Sequence, residues 1–367
     1  MKKIPIHPFP AGAESNGFIA ALSSALLPCL GITAETPYWC SPNGKFCTNC
    51  GECSGSKLTK HQEMLYHILL TVSGLAFTFD YPEDDDVGFL TTPDTPIGWR
   101  WNEPFVKNIM DFVGLSYMRF TKQSVLEMLD ILRKSMDAGY PTLCADTRDI
   151  SGNGAWSHCW NVAFGYTDDS IHIMHHGSEI ASETDTAYSD WIVITGKTQQ
   201  KQTYRDVLTR IYTILTDPSH DVLEQEINSD LLNVTEENAV GLAYKMMGIN
   251  SVPIETRWHA AEAFCSSDNL LSSLTDDTAV KQKLSALFFD RYIANDNNET
   301  HGICWKIWGL LHVGPETDYM PTEESFALIQ KPEVQEEMRR LWKIVFENDR
   351  RIADGIHEVL KRLDCMN

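Results

Sequence analysis

Residues 156–177 hold the feature that most limits what this chain can fold into. Two β-rich segments flank the turn cluster Gly165-Tyr166-Thr167-Asp168-Asp169-Ser170, and the second alternates Ile171 and Ile173 with His172 and Met174. A period of two, punctuated by glycine, aspartate and serine, predicts an antiparallel hairpin. His158 lies on the first strand and His175-His176 at the end of the second, so both histidine groups are expected to approach one end of the pair. That is where a catalytic base and its orienting partner would sit, and the remaining chain must then supply a nucleophile.

Strand signals surround the hairpin. Residues 139–146 read as a turn and strand, 115–120 as another strand, and 191–195 as a last one stopped by Gly196. Helical periodicity comes earlier. His61, Met64, Leu65, Ile68, Leu69 and Val72 mark a helix over 58–75 that stops at Gly74, with His61 and His67 expected on or near its surface. Residues 103–113 form a short helix, and Val125, Met128, Leu129, Leu132 and Met136 describe an amphipathic one over 121–138, ended by Gly139. Between them, 76–81 looks β-like, Glu83 to Asp86 reads as a solvated turn, and Trp99-Arg100-Trp101 covers a groove or packs. Helices followed by mainly antiparallel strands imply an α+β domain over 1–198.

Beyond Gly196 the pattern changes. Residues 197–202 are polar and linker-like, and helical periodicity then fills 204–215, 239–247, 254–264, 280–293, 303–311 and 333–363. An all-helical domain over 199–367 follows, of ordinary domain size. Within it Arg257, Trp258, His259 and Glu262 cluster at helical spacing and could line a cleft, with His259 and Glu262 expected as a surface pair.

The N-terminal region carries two further signals. Small and polar residues end in a cap at Ser15 or Asn16, and an Ala- and Leu-rich run predicts a buried helix from about Gly17. Its first N–H groups would favour an anion or a thiolate. Cys40, Cys47, Cys50 and Cys53 follow in the pattern Cys-x6-Cys-x2-Cys-x2-Cys, with Gly44, Gly51 and Gly55 for tight turns. That spacing predicts a structural zinc site stapling a loop, with an iron–sulfur cluster as the alternative and paired disulfides third.

Composition narrows the partners. A formal charge of −21 over 367 residues argues against nucleic acid or an anionic membrane, since a polyanion would be repelled. Met1-Lys2-Lys3 has the charge of a secretion signal, but the residues that follow contain no continuous apolar core, and no segment approaches the length of a membrane span. A cytoplasmic protein is expected, its ten cysteines reduced or metal-bound.

Gly139 with Pro141 before a strand, His158 on the next, and Gly165-Tyr166 with Asp168-Asp169 at the turn resemble the papain-like cysteine hydrolases and acyltransferases. The likeness covers roughly the first half of the chain. It is greatest to the bacteriocin-processing peptidases and to the N-terminal half of the butirosin-type aminoglycoside acyltransferases, which also carry a helical C-terminal domain. The resemblance implies a papain-like α+β domain with an antiparallel sheet and an N-terminal core helix, followed by an all-α domain. In such families a Cys opens the first helix, a Gln six residues earlier helps form the oxyanion hole, a His on a later strand is the base, and an Asp or Asn on the next strand orients it. Here His158 matches the base, whereas Gly17 falls at the nucleophile, Ala11 at the Gln and His175 at the orienting carboxylate.

A glycine cannot attack a carbonyl, so the resemblance implies a catalytically degenerate protein that keeps a cleft near His158 and the first helix, lined by Asn16, Gly17, Cys144 and Trp160. Its ligand would be a small molecule, a peptide or an acyl-carrier-linked group. The alternative is an acyltransferase, amidase or peptidase with a relocated nucleophile, drawn from Ser15, Cys144 or Cys159, and with His158 as base and His175 as its partner. A metal or redox protein organised by the Cys40 to Cys53 cluster is the third reading.

Overall fold

A computed structural model describes residues 2–7, 17–32, 60–78, 103–149, 156–175, 178–183, 186–266, 269–294, 298–317 and 319–365. At 60, 146–149, 156–159, 175, 178, 183, 251–252, 254–255 and 365 the description is of the backbone. Ser15, Asn16, the four cysteines from Cys40 to Cys53, the acidic run from Glu83 and the Trp99 to Trp101 motif lie outside the described residues. The chain mixes helices with an antiparallel sheet and divides into two compact units. Met1–Ser73 and Thr92–Gln202 form one, Gly74–Thr91 and Thr203–Asn367 the other. The division falls four residues beyond the expected boundary at 198, and the chain enters the second unit once beforehand, at Gly74.

In the first unit β1 (Lys2–Lys3) precedes α1 (Gly17–Cys29) and α2 (Lys60–Ser73). Then come α3 (Glu103–Val113), β2 (Leu115–Ser124), α4 (Val125–Asp137), β3 (Thr142–Asp149), β4 (Trp156–Tyr166), β5 (Ser170–His175), β6 (Ser178–Glu183) and β7 (Ala187–Lys197). The strands form one sheet in the order β2-β7-β3-β4-β5-β6, and every pairing among them is antiparallel. β1 pairs with the end of β4. It continues the edge that β3 leaves at the Thr142–Ala163 pair, through Lys3 opposite Gly165 and an Ile4 N–H to Phe164 carbonyl bond of 2.7 Å. Gly165 permits this approach: a Cβ there would lie 2.7 Å from the Lys2 carbonyl oxygen.

The expected hairpin forms between β4 and β5, with a register shift between Ala163 and Gly165. α4 begins later than its periodicity suggests, because residues 121–124 continue β2 against β7 and Ser124 becomes the N-cap. The Ser124 hydroxyl accepts the Glu127 N–H at 3.3 Å while the Glu127 carboxylate accepts the Ser124 N–H at 2.7 Å, a reciprocal capping box. At the other end Gly139, at φ +89°, donates to Met136 and Tyr140 donates to Ser135, the paired bonds of a left-handed helix stop.

α1 packs on β3 and β4 and against α2, while α4 packs against strands β2 to β5 and β7. Phe18 to Leu27 of α1 are all buried, including Ser23 and Ser24. A helix apolar all round needs cover on every side. α2 is similarly enclosed, which corrects the surface placement of His61 and His67: both are buried. Sequence spacing marks α2 as one-faced, but α1 and α3 flank it and leave it no solvent face.

In the second unit a 3-10 turn at Leu75–Phe77 stands where β structure was expected. The helices are α5 (Tyr204–Leu215), α6 (Pro218–Leu232), α7 (Ala239–Cys265), α8 (Thr278–Tyr292), α9 (Thr300–Leu310), α10 (Glu323–Leu328) and α11 (Pro332–Cys365). α11 packs against α5, α6, α8 and α9, and a core of Leu223, Ile227, Met246, Ile307, Leu341 and Phe346 joins α6, α7, α9 and α11. Two expected helices, 239–247 and 254–264, are one: Pro253 lies inside α7. The proline removes one ladder bond, and burial on either side of it, at Met246, Ile249 and Arg257, holds the helix through the gap. His259 and Glu262 are buried, not a surface pair.

Arg257 explains the 3-10 turn. Its guanidinium, wholly buried, donates to the carbonyls of Ala76 at 2.5 Å and Phe77 at 3.2 Å and pairs with Asp349 of α11 at 2.9 Å. Tyr292 of α8 donates its hydroxyl to the same carboxylate at 2.7 Å. An extended chain would alternate its carbonyls, whereas the turn turns two successive ones toward a single guanidinium.

Candidate functional site

α1 is the apolar run foreseen in the sequence, and Gly17 is its first residue. The next residue, Phe18, meets the Trp160 ring of β4 edge-on, with centroids 4.8 Å apart and planes at 64°. Both rings are buried. This contact fixes the start of α1 against the strand that carries His158. Position 158 pairs with Thr147 of β3, two residues before Trp160 and on the same side of the strand by alternation. The helix start and the His158 strand position are thus brought to one face of the sheet.

Cys144 belongs to the other face. It pairs with Asn161, the residue after Trp160, and is fully buried among Val125, Met128, Leu132 and Met136 of α4 together with Ala163 and Trp191. The sheet itself stands between this thiol and α1. Position 159 has the parity of Asn161 and falls on the same α4 side. Position 175 lies at the same end of the hairpin as position 158. Ile173 packs in the α4 core opposite Ala163, and position 175, two residues on and paired with Ser178, shares its side. Residues 158 and 175 are therefore on opposite faces by register. The hairpin alternation was legible, but the face of each strand depends on the bulge between Ala163 and Gly165, which shifts parity by one.

Neither curated proteins, solved structures nor family models give a match to this chain. The chemistry of the site is argued from its own geometry. α1 offers the first N–H groups of a helix, beginning at Gly17. This end suits an anionic group. It carries no acidic residue in its first turn to compete for those donors.

Two further polar groups sit beside α1. The Ser24 hydroxyl donates to the His7 carbonyl, which ties the segment after β1 to the middle of the helix. Burial, reinforced by His61, holds the His7 imidazole below its ordinary pKa. Ser24 stands seven residues into the helix from Gly17, about 10 Å along its axis, which separates His7 from the helix start. No sequence pattern marked His7. Cys29, at the far end of α1, donates to the Ala25 carbonyl at 3.2 Å, and burial pushes its thiol up to about 12. It is a core thiol with negligible thiolate at neutral pH.

Proposed function

We propose that the first unit is a catalytically degenerate papain-like domain that binds the anionic group of a small molecule, peptide or acyl-carrier-linked ligand between the start of α1 and the His158 strand. The observation that supports it best is the Phe18–Trp160 contact, which sets a helix N-terminus that opens with glycine beside the strand position of the base. The burial of Cys144 against α4 argues against the relocated-thiol alternative at that residue, because a nucleophile on the far side of the sheet cannot reach a carbonyl held at α1. The register of β5, with position 175 on the face opposite position 158, supports a site without an orienting partner from that strand. On this reading the site would retain at most what binding and electrostatics contribute to rate.

Activity-based labelling tests this. Thiol-directed and fluorophosphonate acyl probes should leave the native chain unlabelled at Ser15, Cys144 and Cys159. Stoichiometric labelling of one residue, abolished by His158→Ala, would establish an enzyme and overturn the degenerate reading. The Cys40, Cys47, Cys50 and Cys53 loop is proposed as a structural zinc staple on its ligand spacing. One zinc per colourless chain supports it, and visible charge-transfer absorption with bound iron would assign a cluster instead.

A further inference from the structure

Trp305 and Trp308 stand three residues apart on α9, and Tyr319 comes from the loop that follows. Their ring centroids are 5.1 Å apart for the two tryptophans, 6.3 Å for Trp305 and Tyr319, and 5.7 Å for Trp308 and Tyr319. The planes meet at 89°, 61° and 47° respectively, so the rings form a corner, not a flat platform. Trp308 is the buried root of this corner, while Trp305 is 39% exposed and Tyr319 42% exposed.

The Trp305 ring and the Tyr319 backbone are held in place. The Trp305 indole N–H donates to His301 Nε2 at 3.1 Å. The Tyr319 N–H donates to the Gly314 carbonyl at 2.9 Å, with the residue at φ +58°, a left-handed conformation that a tyrosine seldom adopts. Rings fixed before a ligand arrives lose little entropy when one binds.

The surroundings select the ligand's charge. The described residues of 312–324 include Glu316, Glu323 and Glu324 and no Lys or Arg. The carboxylate of Glu316 folds over Gly314, the residue that holds the Tyr319 amide. His312 is paired with Glu324 at 2.9 Å, and the charge of Lys306 bears on Glu337 of α11. Aromatic faces are the negative ends of ring quadrupoles, and beside carboxylates they attract cations. A planar ligand such as a sugar ring would need a flat stacking surface, whereas a rounded, methylated cation fits a corner.

We propose that the corner formed by Trp305, Trp308 and Tyr319 binds an organic ammonium of the choline type, its methyl groups against the Trp305 and Tyr319 faces and its charge offset by Glu316. The full chain is titrated with choline and, separately, with the uncharged isostere 3,3-dimethylbutan-1-ol, following heat and tryptophan fluorescence. Choline should saturate a single site and the isostere should bind at least several-fold more weakly. Trp305→Leu and Tyr319→Leu should each weaken choline by roughly 2- to 30-fold, and Glu316→Gln should weaken it without affecting the isostere. Circular dichroism and thermal unfolding of each variant report whether the fold is kept. Equal binding of choline and isostere, or no saturable choline signal into the tens of millimolar, overturns the proposal on the wild-type chain alone. Undiminished choline binding by a folded Trp305→Leu variant overturns it as well.

Discussion

Replacing Arg257 with methionine removes a guanidinium that bonds to the carbonyls of Ala76 and Phe77 and to the carboxylate of Asp349 inside the helical unit. Neither charged side chain has appreciable exposure, at 0% for Arg257 and 2% for Asp349. The substitution leaves Asp349 buried with the Tyr292 hydroxyl as its partner and strands two carbonyls in the core. Breaking a buried pair from one side costs about 3–5 kcal/mol, mostly the uncompensated charge. For a unit of this size the loss amounts to a fall in melting temperature of roughly 6–20 °C. Asp349→Leu should cost less, because Arg257 keeps two carbonyl acceptors. The double variant Arg257→Met with Asp349→Leu should be more stable than Arg257→Met alone, since no buried charge remains. Urea unfolding of the four proteins, followed by fluorescence and circular dichroism, gives the coupling energy directly. Additivity of the two single variants within about 0.5 kcal/mol would refute the reasoning, because contacting charges in one network must couple.

Two further outcomes follow from particular residues. His259 is fully buried, and burial, with His301 nearby, pulls its imidazole from 6.5 down to about 3. The unfolded chain therefore binds a proton that the folded chain refuses, so stability falls as pH drops from about 6.5 toward 3, by at most about 1.4 kcal/mol per pH unit. His259→Gln should flatten this acid limb in urea titrations across that range, and an unchanged slope would assign it to other groups. Gly165→Ala places a Cβ 2.7 Å from the Lys2 carbonyl oxygen and 2.8 Å from Lys3 Cγ, and a backbone oxygen cannot yield without breaking the β1–β4 pairing. A cost of about 1–3 kcal/mol is expected, with faster amide exchange at Ile4, whose N–H bonds to Phe164. Wild-type exchange at Ile4 would show that β1 adapts.

Much of the secondary structure was legible because local chemistry decides it. Residues 103–113 and 204–215 carry periodicity and boundaries that match α3 and α5. α6 is also written in the sequence, through Asp217 as N-cap, Pro218 at the first helical position, and Leu223, Ile227 and Leu231 at intervals of four. At 76 and 77 the apolar and aromatic residues fit a strand by composition, while a buried arginine distant in sequence bends Leu75–Phe77 into a turn; residues 79–81 lie outside the described residues. Burial of His61, His67, His259 and Glu262 was equally hidden, since each lies on a helix whose second face is covered by elements from elsewhere in the chain.

The candidate site divides along the same line. Sequence by itself determined that an apolar helix opens at Gly17, that His158 lies on the first strand of a hairpin, and that no thiol stands at the helix start, because each depends on residue type and short-range periodicity. Tertiary structure decided which face each strand residue occupies. Trp160 meets α1 while Cys144 lies under α4, and positions 158 and 175 part to opposite faces. The physical reason is that strand alternation gives two faces without naming either. The choice is made by the helices that cover them and by a single bulge in the register between β4 and β5.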